Sequence, residues 1–514
     1  MTTSPSLQTA TLHVRTNSPI GNLSPRLYGH FAEHLGRCCY DGLWVGPDSE
    51  IPNTDGFRND VLSALRELPV PLLRWPGGCY ADHYHWRDGI GPERMTRLGI
   101  SCGLQVSDTN ALGTDEFLRL CELIGAEPYL AGNVGSGTVQ ELCDWLEYCN
   151  GAADTSLTRE RAANGRAEPW NVRLWGVGNE SWDCGGRFAP ETYAHEYRRY
   201  ASMLRHVDPT AELVMVGLED EGCFQAGMDR EWNRKALETL GWSLPLVDHL
   251  SIHHYWTHGG PETDFSEEEY YALIQEAEAT EGNITRTADV IARVTGGRQR
   301  IGIALDEWGV WHPEARPWGP GEGTARREPI TYEQANTLRD ALAAGAMLEV
   351  LHRQCRVLSM ANLAQIVNVL QAVVLTKGTQ AIHTPTYHVL ALHKPHIRAE
   401  ALPVKVSGGE RLPDGSPAVT ATASRNAEGF AVTLLNRHIS RPAFVRLPFA
   451  EPSVRQAHLL TADQPNAQNT FEEPDRVSPV PLEVGRERDG TWGVHLPRHS
   501  LATVVFAAGS EGQA

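Results

Sequence analysis

From about Leu27 onward, short apolar runs alternate with longer segments of helical spacing. The runs are RLYGHF (26–31), PLLRWP (71–76), EPYLAGN (127–133), VRLWGVGN (172–179), ELVMVG (212–217), DHLSIHHYW (248–256), IGIALDEW (301–308) and RVLSMANL (356–363). Between them lie stretches such as TDEFLRLCELIGA (114–126), with Gly125 as its stop, and PETYAHEYRRYASMLRHV (190–207). The latter repeats apolar and aromatic residues every three or four positions, as an amphipathic helix does. Near-continuous apolar runs are what parallel strands covered on both faces look like. Eight strand-then-helix units predict a (β/α)8 TIM barrel. A doubly wound open sheet is the runner-up, but it calls for a Gly-rich nucleotide turn, and neither GxGxxG nor GxxxxGK[ST] occurs.

The pattern changes near Ile397. GFAVTLLNRH (429–438), PAFVRLPF (442–449) and TWGVHLPRHSLATVVFA (491–507) alternate and are separated by turn residues, which predicts an additional antiparallel β-sandwich, jelly-roll-like, over 397–514. TATLHVRT (9–16) alternates too, so the segment 1–23 is expected to lend that sandwich a strand, leaving 24–396 as the barrel.

Composition narrows the class. The 514 residues are 41% hydrophobic, with 14 Trp and 14 Tyr, enough for a folded chain of one large domain and a second. The 64 acidic against 45 basic residues give a net charge of −19 and no basic run, which argues against a nucleic-acid partner. No window approaches 18 consecutive apolar residues, so no membrane span is expected, and MTTSPSLQTATLHVRTN lacks the features of a signal peptide. The ten cysteines form no CxxC and no zinc spacing. Reduced thiols and a cytoplasmic location are expected.

In barrel enzymes the reactive groups sit at the C-terminal ends of the strands. Here those ends carry His30, Glu33 and His34; Arg74, Cys79 and Asp82; Asn133; Asn179 and Glu180; Glu219 and Asp220; His253, His254, Tyr255 and Trp256; Asp306, Glu307 and Trp308; Asn362 and Gln365. WGVGNESW (175–182) poses the question most sharply, because a glutamate is rarely placed at the end of a buried strand unless it is paired or used. The bland reading makes Glu180 the first solvated residue. Loading of nearly every strand end favours chemistry. Glu180 and Glu307, on strands four and seven, face each other across the mouth, and the aromatics beside them suit sugar rings. Asp306 should point away from Glu307 by strand alternation and is read as structural.

GHFAEHLGR (29–37), LRWPGGCYADHYHWRDGIGP (73–92), WGVGNESW (175–182), SIHHYW (251–256), ALDEWGVW (304–311) and NLAQIVNVLQ (362–371) together resemble the α-L-arabinofuranosidases of glycoside hydrolase family 51, nearly end to end. The resemblance implies a barrel with a β-sandwich and an exo-acting, retaining double displacement. It makes Glu180 the acid/base and Glu307 the nucleophile, and it places Glu33, Cys79, Asn179, Tyr255 and Gln365 on the arabinose, with Trp311 and Trp182 flanking the subsites. Either Trp can instead be a plug at the barrel mouth. Arg74 either holds Glu307 charged or is a core arginine, and one of His253 and His254 touches the site near Glu307. No metal or cofactor is called for. The partner is an arabinofuranosyl oligosaccharide or polysaccharide, and a homo-oligomer, a hexamer, is implied. The alternatives are the same machinery on a β-glucan or xylan, a non-catalytic carbohydrate-binding protein, and a metal-dependent hydrolase using His30, His34, His253 and Asp306.

Overall fold

The computed structural model describes residues 8–218, 229–318, 326–449 and 453–507. Eight parallel strands close into a barrel in chain order: Gly29–Phe31, Leu72–Trp75, Glu127–Gly132, Leu174–Val177, Glu212–Val216, His249–Trp256, Gly302–Val310 and Leu358–Ala364. All eight runs read from the apolar pattern are strands. The first is shorter than its run, because Pro25 begins a 3-10 turn over Pro25–Tyr28. Helices follow the strands on the outside. Thr114–Ile124 stops at Gly125, whose φ of 74° is a left-handed cap. Pro190–Val207 opens on Pro190, where the missing N–H costs nothing. Leu72, Tyr129, Leu174, Val214, Ala304 and Met360 fill the barrel interior, so it is a packed core and the chemistry belongs at the rim.

Two further sheets pack on each other. The five-stranded sheet contains the N-terminal strand Gln8–Val14, antiparallel to Val404–Gly408 but parallel to Ala443–Leu447. The seven-stranded sheet is built around Val419–Asn426, Gly429–Asn436 and Ser500–Ala507. Ala10, Leu12, Val432, Val445, Val494 and Val504 interleave between them. The run 491–507 divides into Trp492–Leu496 and Ser500–Ala507, one in each sheet. Pro497 explains the break, since it has no N–H to continue a ladder. The helix Leu338–Arg353 is buried on nearly every face, from Leu338 to His352. It touches the barrel on one side, and its Glu349 and His352 reach Thr420 and Thr422 of the seven-stranded sheet on the other.

Candidate active site

The end of strand four sets the site. Beyond Gly178, at φ 92°, Glu180 itself takes φ 37°. A glutamate in that region is strained, and such residues collect where function needs them. A tight turn holds it: Asp183 and Gly185 both donate their N–H to the Glu180 carbonyl, and a Cβ on Gly185 would stand 2.0 Å from the Asn179 carbonyl. Glu180 is therefore not simply the first solvated residue. Its Oε1 lies 2.9 Å from His253 Nδ1. Burial pushes its carboxyl up, the His253 hydrogen bond and charge offset part of this, and the charges of Glu307 and Asp183 add to it.

Glu307 sits in a different field. Arg74 Nη1 donates to its Oε1 at 2.7 Å and Tyr255 Oη to its Oε2 at 2.7 Å. Burial would raise this carboxyl too, but the His253 and Arg74 charges and those two hydrogen bonds outweigh it and hold Glu307 below the usual range. Arg74 also donates through Nη2 to Asn179 Oδ1 at 2.6 Å, and the Asn179 amide directs one N–H to Cys184 Sγ at 3.9 Å, which leaves the other for a ligand. Arg74 is thus both buried and bound to the carboxylate it faces, and the two readings of it are not exclusive.

His253 is the histidine of this site, and its nearer partner is Glu180; Glu307 Oε1 is at 3.6 Å. Burial lowers its pKa, but the two carboxylates more than compensate and raise it to about 9. His254 turns to Thr280, 2.6 Å away, and burial lowers it to about 4. A register shift between Ile252 and His253 accompanies this placement, as bulges beside active sites do. The pairing of strands seven and eight also shifts between Leu305 and Trp308. Asp306 lies within the field of Arg74, which also binds Glu307. Asp306 accepts from Tyr129 Oη at 2.8 Å and Asn362 Nδ2 at 3.3 Å.

Glu33 accepts from the Tyr80 N–H at 3.0 Å, Ser101 Oγ at 3.1 Å and Gln365 Nε2 at 3.1 Å. Burial, with the Glu307 charge, raises it to about 7 against the pull of those donors and Arg74. Gln365 Oε1 is buried with no partner, an acceptor waiting for a hydroxyl. Trp311 meets Tyr255 edge-on with centroids 5.2 Å apart and spends its N–H on the Ala315 carbonyl. Trp182 spends its own on the Gly217 carbonyl. At 5% and 9% exposed, both are chiefly walls of the mouth.

Reduced thiols do not hold at Cys79, which is joined to Cys184 in a disulfide, with Cα atoms 5.6 Å apart. The loops after strands two and four bring together residues 105 apart, a proximity the cysteine spacing does not reveal. Asp82 is the other group whose part only the fold discloses. It accepts the N–H groups of Val134, Gly135 and Asn179 at 2.9, 2.8 and 3.2 Å, tying the ends of strands three and four together. Burial raises it to about 7 despite those bonds. Glu219 and Asp220 lie outside the described residues.

His30, His34, His253 and Asp306 are not gathered. His34 pairs with Asp108 and receives the Trp75 N–H, while Asp306 serves Tyr129. Among the described residues, the groups with donors close enough for a metal are Glu180–His253–Glu307 and Cys79–Glu180–Cys184. In the first, one oxygen of Glu180 and one of Glu307 lie within 4.8 Å of each other. Two carboxyls at that separation, one raised and one lowered, on the C-terminal rim of a (β/α)8 barrel define a glycoside hydrolase.

The comparisons give the family. Residues 64–273 match the α-L-arabinofuranosidase 1 domain and residues 306–500 the α-L-arabinofuranosidase C-terminal domain. The chain is 38% identical over 511 residues to an intracellular exo-α-L-arabinofuranosidase of Bacteroides ovatus, covering 97% of this chain and 95% of that protein. The crystal structure of a GH51 arabinofuranosidase from Xanthomonas axonopodis pv. citri superposes with a TM-score of 0.88 at 35% identity, over 97% of this chain and all of the other. A family 51 α-L-arabinofuranosidase from Bifidobacterium longum gives 0.85 at 28% identity, covering 98% of this chain and 100% of that one. The chain belongs to the α-L-arabinofuranosidases of glycoside hydrolase family 51. That membership favours arabinofuranoside over the β-glucan or xylan alternative and sets the non-catalytic reading aside.

Proposed function

We propose that this enzyme removes terminal α-L-arabinofuranosyl residues by double displacement, with Glu307 as nucleophile and Glu180 as acid/base. The supporting observation is the carboxyl pair itself, with oxygens within 4.8 Å and environments that push the two apart in proton affinity. Retaining enzymes bring their carboxyls to ~5–5.5 Å, whereas inverting ones leave room for water at ~6.5–9.5 Å. Glu307, held ionised by His253, Arg74 and Tyr255, attacks the anomeric carbon as the glycosidic C–O bond breaks. Glu180, still protonated, gives its proton to the departing oxygen. It then takes a proton from water, whose oxygen displaces Glu307 and restores the original configuration. Asn179, its carbonyl already committed to Arg74, offers an amide N–H to a sugar hydroxyl. Gln365 Oε1 and Glu33 accept from others, and Tyr255 and Trp311 close the mouth. Cys79 contributes backbone and shape.

Short arabino-oligosaccharides in the cytoplasm suit the reading, and the Bacteroides ovatus relative is named intracellular. No helix among the described residues is long and apolar enough to cross a membrane. A barrel over 24–396 with 1–23 and 397–514 contributing the sandwich, assembled as a homo-oligomer, completes the proposal. Trp242, 88% exposed, is a surface such an assembly would cover. The deciding experiment is hydrolysis of p-nitrophenyl α-L-arabinofuranoside by wild type and Glu307→Ala, with and without EDTA. Activity that survives EDTA and vanishes with Glu307 supports the proposal. A wild type inactive on this substrate, or silenced by EDTA, overturns it.

A further inference from the structure

The two sulfurs beside Glu180 take no part in that reaction. Cys79 opens the 3-10 turn Cys79–His83 after strand two, and Cys184 sits in the turn that follows Glu180. Their Sγ atoms lie 3.8 and 3.5 Å from the same carboxylate oxygen, Glu180 Oε2, while Oε1 is the oxygen next to His253. Oε2 thus faces two sulfurs from two loops, and the three ligand atoms fall within 4.8 Å of one another. Those loops do not depend on the disulfide for their approach. Asp82, three residues after Cys79 in the same turn, binds the N–H groups of Val134, Gly135 and Asn179, and Gly185 packs on the Asn179 carbonyl. Opened by reduction, the pair is left as two thiols and a carboxylate converging on one point. Thiolate sulfur with one carboxylate oxygen is a donor set for a borderline or soft divalent cation and a poor one for magnesium or calcium.

We propose that Cys79, Cys184 and Glu180 form a redox-gated inhibitory cation site: reduced, it holds a thiophilic divalent ion such as Cd2+ or Zn2+ and silences the enzyme; oxidised, it does not form. The inhibition rests on the reading of Glu180 as acid/base. An external dithiol supplies two electrons and two protons to the Cys79–Cys184 bond and leaves as its own disulfide. The cation then displaces the two thiol protons and takes Glu180 Oε2, so that the carboxyl can neither give a proton to the leaving oxygen nor take one from water. A chelator should therefore restore activity, the reverse of what a metal-dependent hydrolase does.

The test uses the full-length enzyme, either reduced and desalted without oxygen or left oxidised, titrated with cadmium chloride. Two signals are followed: the ultraviolet thiolate-to-cadmium charge-transfer band and hydrolysis of p-nitrophenyl α-L-arabinofuranoside. In the reduced enzyme the band should saturate near about one cadmium per chain, with activity lost in parallel and regained on adding EDTA. The oxidised enzyme should show neither change, and reduced Cys184→Ser should need at least about tenfold more cadmium. Equal bands in oxidised wild type or in reduced Cys184→Ser would place the ion on other thiols and overturn the site. A band with activity unchanged would overturn the inhibition. Absence of activity before any cadmium is added fails the functional reading alone, because the band reports the site independently.

Discussion

His253 Nδ1 lies 2.9 Å from Glu180 Oε1. The same ring stands 3.6 Å from Glu307 Oε1, so one imidazole, raised to about 9 by two carboxylates, is shared between the pair. It lowers both carboxyls, and it is the largest influence after burial on each. Burial alone would carry both upward together. Arg74 and Tyr255, which reach only Glu307, are what separate them.

Replacing His253 with Ala removes that shared cation. Both limbs of the pH profile of kcat/KM should move upward, the acid limb because Glu307 is harder to ionise and the alkaline limb because Glu180 holds its proton longer. An adjacent opposite charge is worth about 1–3 pH units, so a displacement of about one is expected. Activity at mildly acidic pH should fall most. Limbs that stay in place while the rate falls would mean that His253 only shapes the site.

Tyr255→Phe deletes the hydroxyl that donates to Glu307 Oε2 at 2.7 Å and leaves the ring against Trp311. A hydrogen bond to a charged group is worth about 1.5–3 kcal/mol, hence a loss in kcat/KM of roughly 10- to 100-fold. The acid limb alone should shift upward, since Tyr255 does not reach Glu180. Movement of the alkaline limb as well would contradict this division.

The barrel was legible because eight buried strands leave eight apolar runs, and the site because GNE and DEW stand at strand ends. What was not legible came from backbone irregularity and from loops. His253 reaches Glu180 next to a register shift that residue identity does not reveal. Asp82 is one more acid in a polar stretch until the fold turns three N–H groups onto it. Cys79 and Cys184 meet because two loops meet, and their spacing says nothing of it.

Glu33 illustrates stability yielded to function. Its folded pKa, about 7, is above the ordinary value of 4.5. A raised folded value means that its contribution to stability is complete below about 4.5 and is lost as pH rises through 7. Glu33→Gln should therefore raise Tm at about pH 8 and change it little at about pH 5. It should also raise KM, because an acceptor for a sugar hydroxyl is replaced by a half-donor. A Tm difference that does not depend on pH would show that the carboxyl is not the cause.

Acid should unfold the enzyme from the contact between helix Leu338–Arg353 and the seven-stranded sheet. His352 bonds Tyr28 Oη and Thr422 Oγ1 at 2.6 and 2.7 Å, and His396 bonds Ser424 and Thr433 at 2.8 and 2.9 Å. Their rings are 5.0 Å apart, and His393 is 5.6 Å from His396. Burial lowers all three; His393 falls to about 4, and for His352 and His396 the neighbouring imidazoles add to the effect. With folded values below the unfolded one near 6.5, the unfolded chain binds more protons, so this stability is present above about pH 6.5 and is lost as pH falls toward 4. Glu33, Asp82 and Glu349, raised to about 7, act in the opposite direction over part of that range. The buried imidazoles outnumber them, since His30, His34, His254 and His388 are lowered as well. Tm should therefore fall between about pH 6.5 and 4.5, and hydrogen exchange at the lower pH should open Val419–Asn426 and Gly429–Asn436 before the barrel strands. A Tm unchanged over that range, or barrel strands that exchange first, would place the acid-sensitive contact elsewhere.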